Sequence, residues 1–462
     1  MKKQRKKIIS ILLLSAMLIA SVCSLSGCDL VSAAPTVSIV GTEINADGEL
    51  IIRYSNGLRD NLGVVVGKDG TAGAATVISA EINEKGELIL HYSDATMQNL
   101  GLIGGNNVDV DIEITGEAEG VAAAVSAAAP SVVSLLCSFT NVSSSGISVS
   151  KSASAGVIYS LNKETGDALI VTNYHPVYEF GKLADRITVN VFGSPLASQA
   201  ITATFVGGSM QEDIAVLRVQ GSEFLKNSVA KAATLASVDS IYAGDTAIAI
   251  GNPSGKGISA TYGKVNVVTE RMETTASDGV TEVTRRVMRI DTAVNKGNSG
   301  GGLFDSEGRL IGIVSAKIIE ENIENIGFAF PVDKVQALVD NIVYYCLDGD
   351  YITPFKPTLG VKMQVVDSAA VLNESTGLFE TIETIGITDV LAGSAADGCC
   401  EVGDRLLSIR VDDYTVEVTR LHHLTEATWR LRPGQTFYLK VLRGGEEIDL
   451  EIIPENSAYN PC

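Results

Sequence analysis

"NKGNSGGGLFD", Asn295 to Asp305, sets four glycines around one serine, Ser299. Glycine at this density marks a phosphate-cradling loop, a flexible linker, or a tight turn that presents a nucleophile. A phosphate loop has the pattern GxxxxGK[ST], with a lysine that reaches the phosphates; here Lys296 precedes the glycines and nothing basic follows them. "GNPSGKG", Gly251 to Gly257, has Gly-Lys but neither the hydroxyl residue nor the spacing. Linker glycines are usually diluted with serine and lie between domains. The stretch lies instead between two β-rich runs, so it reads as a tight turn.

A serine hydroxyl is a poor nucleophile unless a base lies within hydrogen-bond reach and a third group orients that base. The chain offers four histidines, His91, His175, His422 and His423. His422 and His423 are neighbours on a late helix, where a surface or partly packed place is expected. His91 stands where a repeat copy has Arg53, a sign of a solvated strand face. His175 ends the β run "ALIVTNYH", and Pro176 after it favours an extended conformation. Asp213, opening the apolar strand "DIAVLRV", is the candidate acid; a plain turn residue at a strand start is the alternative.

The length of 462 residues implies two or three folded units. With 19% charged and 45% hydrophobic residues, neither a disordered chain nor a polytopic membrane protein fits. A formal charge of −20 repels nucleic acid, so no nucleic-acid partner is expected. "MKKQRKK" followed by "IISILLLSAMLIASV" reads as an export signal, residues 1–27, ending at "LSGC". Leu25 to Cys28 resembles a bacterial lipobox, which implies lipidation of Cys28 and an extracytoplasmic protein held at the cell membrane without spanning it. Removal of the signal takes away five basic and no acidic side chains and moves the formal charge from −20 to −25. The cysteines left besides Cys28 are Cys137, Cys346, Cys399, Cys400 and Cys462, an odd number with neither disulfide-framework nor zinc spacing. No metal and no cofactor is implied.

The chain divides by composition. Residues 36–105 hold two copies of one unit, "EINADGELIIRYSNGLRDNLG" from Glu43 and "EINEKGELILHYSDATMQNLG" from Glu81. Each has a turn (Ala46-Asp47-Gly48, Glu84-Lys85-Gly86) and a β run (Leu50 to Tyr54, Leu88 to Tyr92), which predicts β-hairpin repeats acting as a stalk or surface module. A linker at 106–120 follows. Residues 121–346 carry many short β runs between turn residues and close on a helix with a Val335, Leu338, Val339, Ile342, Val343 stripe and Asp333 as N-cap. After a linker at 347–356, residues 357–455 hold strands and one helical segment, Thr419 to Arg432, stopped by Pro433-Gly434.

"TNYH", "DIAVL" and "GNSGG" in the order His, Asp, Ser resemble the chymotrypsin class, and in particular the HtrA/DegP family of exported serine proteases. "APSVVSL", "AIAIGNPSG", "RIDTAVNKGNSGGGLFDSEGRLIGIVSAK" and "IGFAFPVDKV" extend the resemblance in the family's order, from about Ala118 to the chain end. It implies a mainly β protein: a chymotrypsin-like double β-barrel protease, then a PDZ domain. His175, Asp213 and Ser299 would be base, orienting acid and nucleophile. The turn Gly297-Asn298-Ser299 would form the oxyanion hole, through the Gly297 and Ser299 amides.

Pro176 and Gly302 depart from the family's pattern and leave the activation geometry open. Ala293 stands where a trypsin-like pocket carries its carboxylate, and "ENIGFAF", Glu324 to Phe330, would form an apolar pocket wall, which implies broad cleavage of unfolded chains. "TLGVKM" resembles a PDZ carboxylate loop, with the amides of Leu359, Gly360 and Val361 as captors of a C-terminal peptide. Arg271 is a candidate for the arginine that couples peptide binding to the site. The resemblance implies a homotrimeric endopeptidase acting on unfolded exported proteins in envelope quality control. The alternatives are a catalytically weak, PDZ-bearing peptide-binding or chaperone-like scaffold, and adhesion through the repeats.

Overall fold

The computed structural model describes residues 39–44, 49–54, 59–64, 77–82, 87–92, 97–102, 120–143, 146–193, 200–316 and 326–462. The export signal, Cys28, the turns of the two repeats and nearly all of the 106–120 linker lie outside the described residues. The chain divides into two compact units, Met1–Thr115 and Gly116–Cys462.

In the first unit each repeat is a three-stranded antiparallel meander instead of a hairpin. The strands are β1 (Ile39–Ile44), β2 (Glu49–Tyr54) and β3 (Arg59–Val64), then β4 (Val77–Ile82), β5 (Glu87–Tyr92) and β6 (Met97–Leu102). The third strands, "RDNLGV" and "MQNLGL", are too polar to be predicted from β propensity. The registers repeat too: Thr42 faces Ile52 as Ala80 faces Leu90, with a shift at the same place in each first pair.

The second unit starts with two closed barrels. The first contains β7 (Val132–Ser143), β8 (Gly146–Asn162), β9 (Asp167–Thr172), β12 (Arg186–Val191), β13 (Ile201–Ser209) and β14 (Ile214–Val219); a two-residue hairpin, β10 (Tyr178–Glu179) with β11 (Lys182–Leu183), lies off it. The second contains β15 (Thr246–Gly251), β16 (Ser259–Thr275), β17 (Glu282–Ile290), β18 (Gly302–Phe304), β19 (Leu310–Ser315) and β20 (Gly327–Pro331). Inward side chains such as Leu135, Ile170 and Leu217 fill one barrel, and Ile248, Phe304 and Phe328 the other. Closure removes sheet edges and gives both barrels rigid rims.

The helix Val332–Cys346 follows. Val335, Leu338, Val339 and Ile342 are buried as their spacing predicts, each contributing about 1.5–3 kcal/mol. Pro331, not Asp333, occupies the N-cap, and no side chain caps the helix. Asp333 sits two positions past the N-cap and turns to Arg286.

The C-terminal domain has a sheet ordered β22 (Val361–Asn373), β23 (Leu378–Val390), β24 (Arg405–Val411), β26 (Phe437–Arg443) and β27 (Glu446–Ile452), with β25 (Tyr414–Glu417) paired to β24. The helix His422–Arg430 packs against it. A two-stranded ribbon joins β21 (Phe355–Pro357) to β28 (Tyr459–Pro461), so the domain extends past both expected boundaries, 357 and 455. The expected linker at 347–356 is tied to the first barrel at one point, where the Gly208 amide donates to Ile352 O at 3.0 Å.

Candidate active site

Strand β9 ends at Thr172, and His175 opens a single 3-10 turn, His175–Val177, instead of ending an extended run. Proline tolerates a first helical turn, where its missing N–H is not needed and its φ is already suitable, so Pro176 shapes the turn. Asp213 immediately precedes β14 and is fully buried with φ 56°, a left-handed conformation that costs about 1–3 kcal/mol in a residue with a Cβ. Two bonds hold it there: Tyr174 N and Asn173 Nδ2 donate to Asp213 O at 3.2 and 3.1 Å. That conformation aims the carboxylate at His175. The His175 ring Nδ1 lies 2.9 Å from Oδ2, and the His175 amide donates to Oδ1 at 2.9 Å.

Burial raises the Asp213 carboxyl, but the facing His175 ring, its hydrogen bond and the Arg285 charge outweigh it and hold Asp213 below the usual carboxylate range. An ionised Asp213 keeps the proton on Nδ1 and leaves Nε2 free to act as a base.

The Ser299 turn packs against this corner. Ala155 N donates to Ser299 O at 2.9 Å, and Thr172, three residues before His175, donates through Oγ1 to Ala155 O at 2.8 Å. A Cβ on Gly300 would come within 2.1 Å of Thr172 Oγ1, and one on Gly297 within 2.2 Å of Asn252 O; both glycines have positive φ, 80° and 100°. Glycine is therefore required by conformation and by space. The Asn298 amide is spent within the turn on Asn295 O, 3.0 Å, so Asn298 offers no N–H to an oxyanion hole. Among the described residues, the amides of Gly297 and Ser299 have no protein acceptor. Gly302 lies in β18, paired with Ile250 and Ile313, where a Cβ would strike the buried Phe304 ring at 2.3 Å.

The Ser299 hydroxyl accepts from the Ala316 amide at 3.2 Å, and no hydrogen bond among the described residues joins it to His175. Of the expected pocket wall, Glu324 and Asn325 lie outside the described residues, while Phe328, Ala329 and Phe330 are buried in the barrel core. Ala293 is exposed.

Two residues that support Asp213 had no legible signal. Ser277, at the tip of the β16–β17 hairpin, donates to Asp213 Oδ1 at 2.9 Å. Arg285, on β17 and 1% exposed, donates through Nε to Gln211 O at 2.5 Å and through Nη2 to Met210 O at 3.2 Å, pinning the turn before Asp213. "TTASDGV" reads locally as a turn, and "TRRVMRI" reads as a solvated strand.

The same hairpin carries Arg286, where the second barrel meets the C-terminal domain. Its guanidinium bonds Asp333 of the Val332–Cys346 helix, lies 2.7 Å from Glu426 Oε1, and donates to His422 Nε2 at 2.9 Å. Asp333, His422 and Glu426 are spaced closely enough to ligate a metal ion, but the guanidinium occupies their common centre. His422 is therefore partly packed, in the seam; burial and the Arg286 charge hold it far below the usual imidazole range and keep it neutral. One guanidinium serves two carboxylates, and burial with the Asp333 charge pushes Glu426 up to about 7 despite Arg286.

Leu359, Gly360 and Val361 lie at the start of β22, an edge strand. Gly360 has φ 84°, and a Cβ there would meet Ser394 at 2.1 Å. The loop carbonyls are tied down, Gly360 O by Leu391 N at 2.8 Å and Leu359 O by Ala396 N at 3.0 Å, while the Leu359 and Gly360 amides have no acceptor among the described residues. A cavity of about 320 Å³ opens beside them, walled by Met363, Leu424, Thr425 and Thr428. Cys400 is a packing residue whose burial pushes its thiol up to about 11.

Residues 153–313 match the family described as Trypsin-like peptidase domain. The chain is 31% identical over 305 residues to Serine protease Do-like HtrA of Bacillus subtilis (strain 168), covering 64% of this chain and 62% of that protein. It is 30% identical over 291 residues to Probable periplasmic serine endoprotease DegP-like of Chlamydia trachomatis serovar D, covering 62% of this chain and 51% of that one. The solved structure titled HtrA-type protease AlgW with decapeptide is 28% identical, with a TM-score of 0.47 over 74% of this chain and 98% of that chain.

Proposed function

We propose that the chain is an endopeptidase of the HtrA family of trypsin-like serine proteases, in which Ser299 attacks the scissile carbonyl and His175 takes and returns the proton. The observation that carries this is the His175–Asp213 pair, 2.9 Å apart and buried on the acid side, set beside a turn whose Gly297 and Ser299 amides have no acceptor. Asp213 fixes the imidazole tautomer and stabilises the charge that develops on it. The two amides receive the oxyanion, in a turn where Gly297 has a positive φ. Reaction needs the Ser299 hydroxyl to leave the Ala316 amide and turn to His175 Nε2.

The substrates are unfolded polypeptides, cleaved after small or medium apolar residues. The C-terminal domain is a PDZ module. It captures a terminal carboxylate on the amides of Leu359, Gly360 and Val361 and adds the peptide to the free edge of β22. The protein is exported, anchored through Cys28 at the outer side of the cell membrane, and assembled as a homotrimer.

Ser299→Ala is expected to abolish turnover of casein while leaving the melting temperature within a few degrees of the parent. Unchanged turnover would sink the assignment. One observation favours a second reading, a peptide-binding scaffold with a silent site: the Ser299 hydroxyl is engaged with Ala316 and not with the base. Binding of unfolded chains without turnover, in every condition that supports binding, would select it.

A further inference from the structure

The cavity beside Leu359–Val361 does not end at the C-terminal domain. A second cavity, of about 310 Å³, shares Lys356, Met363 and Thr425 with its wall and continues to the seam, where the protein supplies Arg271, Arg286, Lys334 and Glu212. The first cavity is mostly apolar or hydroxyl-lined. The second holds four cations, Arg271, Arg286, Lys334 and Lys356, against two carboxylates, Glu212 and Glu426.

The pairing within it is uneven. Lys334 is matched by Glu212 at 2.7 Å, and Arg286 by Asp333 and Glu426. Arg286 is only 7% exposed, and its buried Nε has no aligned acceptor although Glu426 is close by. Lys356 and Arg271 form no ion pair among the described residues; the Lys356 ammonium lies 4.9 Å over the Trp429 ring. Burial holds Lys356 below the usual ammonium range despite the Glu212 and Glu426 charges. The lining therefore carries more cations than carboxylates, and Arg271 and Lys356 stand outside the ion pairs of the described residues.

We propose that this groove selects peptides that end in a free carboxylate and carry an Asp or Glu side chain at the third or fourth residue from the end, received by Arg271 and Lys356. The proposal rests on the PDZ reading above, and the position follows from strand geometry. A peptide added to the edge of β22 rises about 3.3 Å per residue. With its carboxylate at the Leu359–Val361 loop it reaches Met363, the start of the second cavity, about two residues back. An acidic side chain there meets cations in a partly desolvated wall, where charge-assisted hydrogen bonds are strong; a basic one meets like charge. The terminal carboxylate fixes the register, and the upstream acid supplies the selection.

The test is fluorescence anisotropy on the full chain carrying Ser299→Ala, with labelled decapeptides that end in valine and differ only at the third residue from the end, as Glu, Gln or Lys. Each is made as the free acid and as the C-terminal amide. The Glu free acid is expected to bind about tenfold more tightly than the Gln peptide, and the Lys peptide more weakly than either. Raising salt to about 0.5 M is expected to narrow the gap. Arg271→Glu, at an exposed position where folding is not at stake, is expected to remove or reverse the Glu preference. Free acids that bind better than amides with Glu and Gln equal would overturn this proposal and leave the PDZ reading standing. Amides that bind as well as free acids would overturn the PDZ reading itself. A Glu preference untouched by Arg271→Glu would overturn the assignment to this cavity.

Discussion

The Ser299 turn and the Arg286 seam are both buried polar sites on the second barrel, built in opposite ways. The turn is made almost wholly of backbone: glycines at positive φ, two unspent amides and a hydroxyl. The seam is made of polar and charged side chains from three places in the chain, Arg286, Asp333 and the pair His422 and Glu426. A backbone site is fixed by local conformation and fails by steric change. A side-chain site is fixed by electrostatic compensation and fails when one partner goes.

The sharpest way to break the comparison is Gly297→Ala, which puts a methyl group 2.2 Å from Asn252 O at a φ of 100°. Turnover of casein is expected to fall by about 10²–10³-fold, the loss typical of one oxyanion donor, with substrate binding retained. Near-parental turnover would mean that the backbone does not set the site.

Next in size is Arg286→Ala, which leaves Asp333 and Glu426 without their common cation. Breaking one partner out of a buried set costs about 3–5 kcal/mol. The expected outcome is an early melting transition and faster proteolysis between the barrels and the C-terminal domain. A parental melting curve would show the seam to be ornamental.

The smallest effect is in pH. Glu426 has a folded value of about 7, above its unfolded one, so the proton is favoured in the folded state. Its stabilising contribution is complete below the ordinary carboxylate range and is lost as pH rises through about 7. The parent is therefore expected to lose more melting temperature between about pH 6 and pH 8 than Glu426→Gln does; equal slopes would contradict a protonated Glu426.

The same contrast explains what could be read from the sequence. The serine turn was legible because glycine spacing encodes backbone conformation within a few residues. His175 and Asp213 were legible as polar residues at the ends of apolar runs, although the strand ends at Thr172 and a 3-10 turn carries His175. The seam was not legible, because Arg286 and His422 stand 136 residues apart and each looks like a solvated charge in its own neighbourhood. Ser277 was hidden for the same reason: nothing in a loop sequence says which carboxylate its hydroxyl will meet. The role of Gly302 was left open by the sequence because its place is set by the buried Phe304 ring. The third strands of the repeats were missed because both carry Asn and Gly, residues depleted in strands.

The central claim is that the Ser299 turn holds a nucleophile activated by the His175–Asp213 pair. It is tested most directly by labelling the full chain with a fluorophosphonate and mapping the adduct by mass spectrometry, with and without unfolded casein. The account predicts a single adduct on Ser299, abolished by His175→Ala and faster when casein is present. Absence of label in both conditions, or an adduct at any other residue, would contradict it.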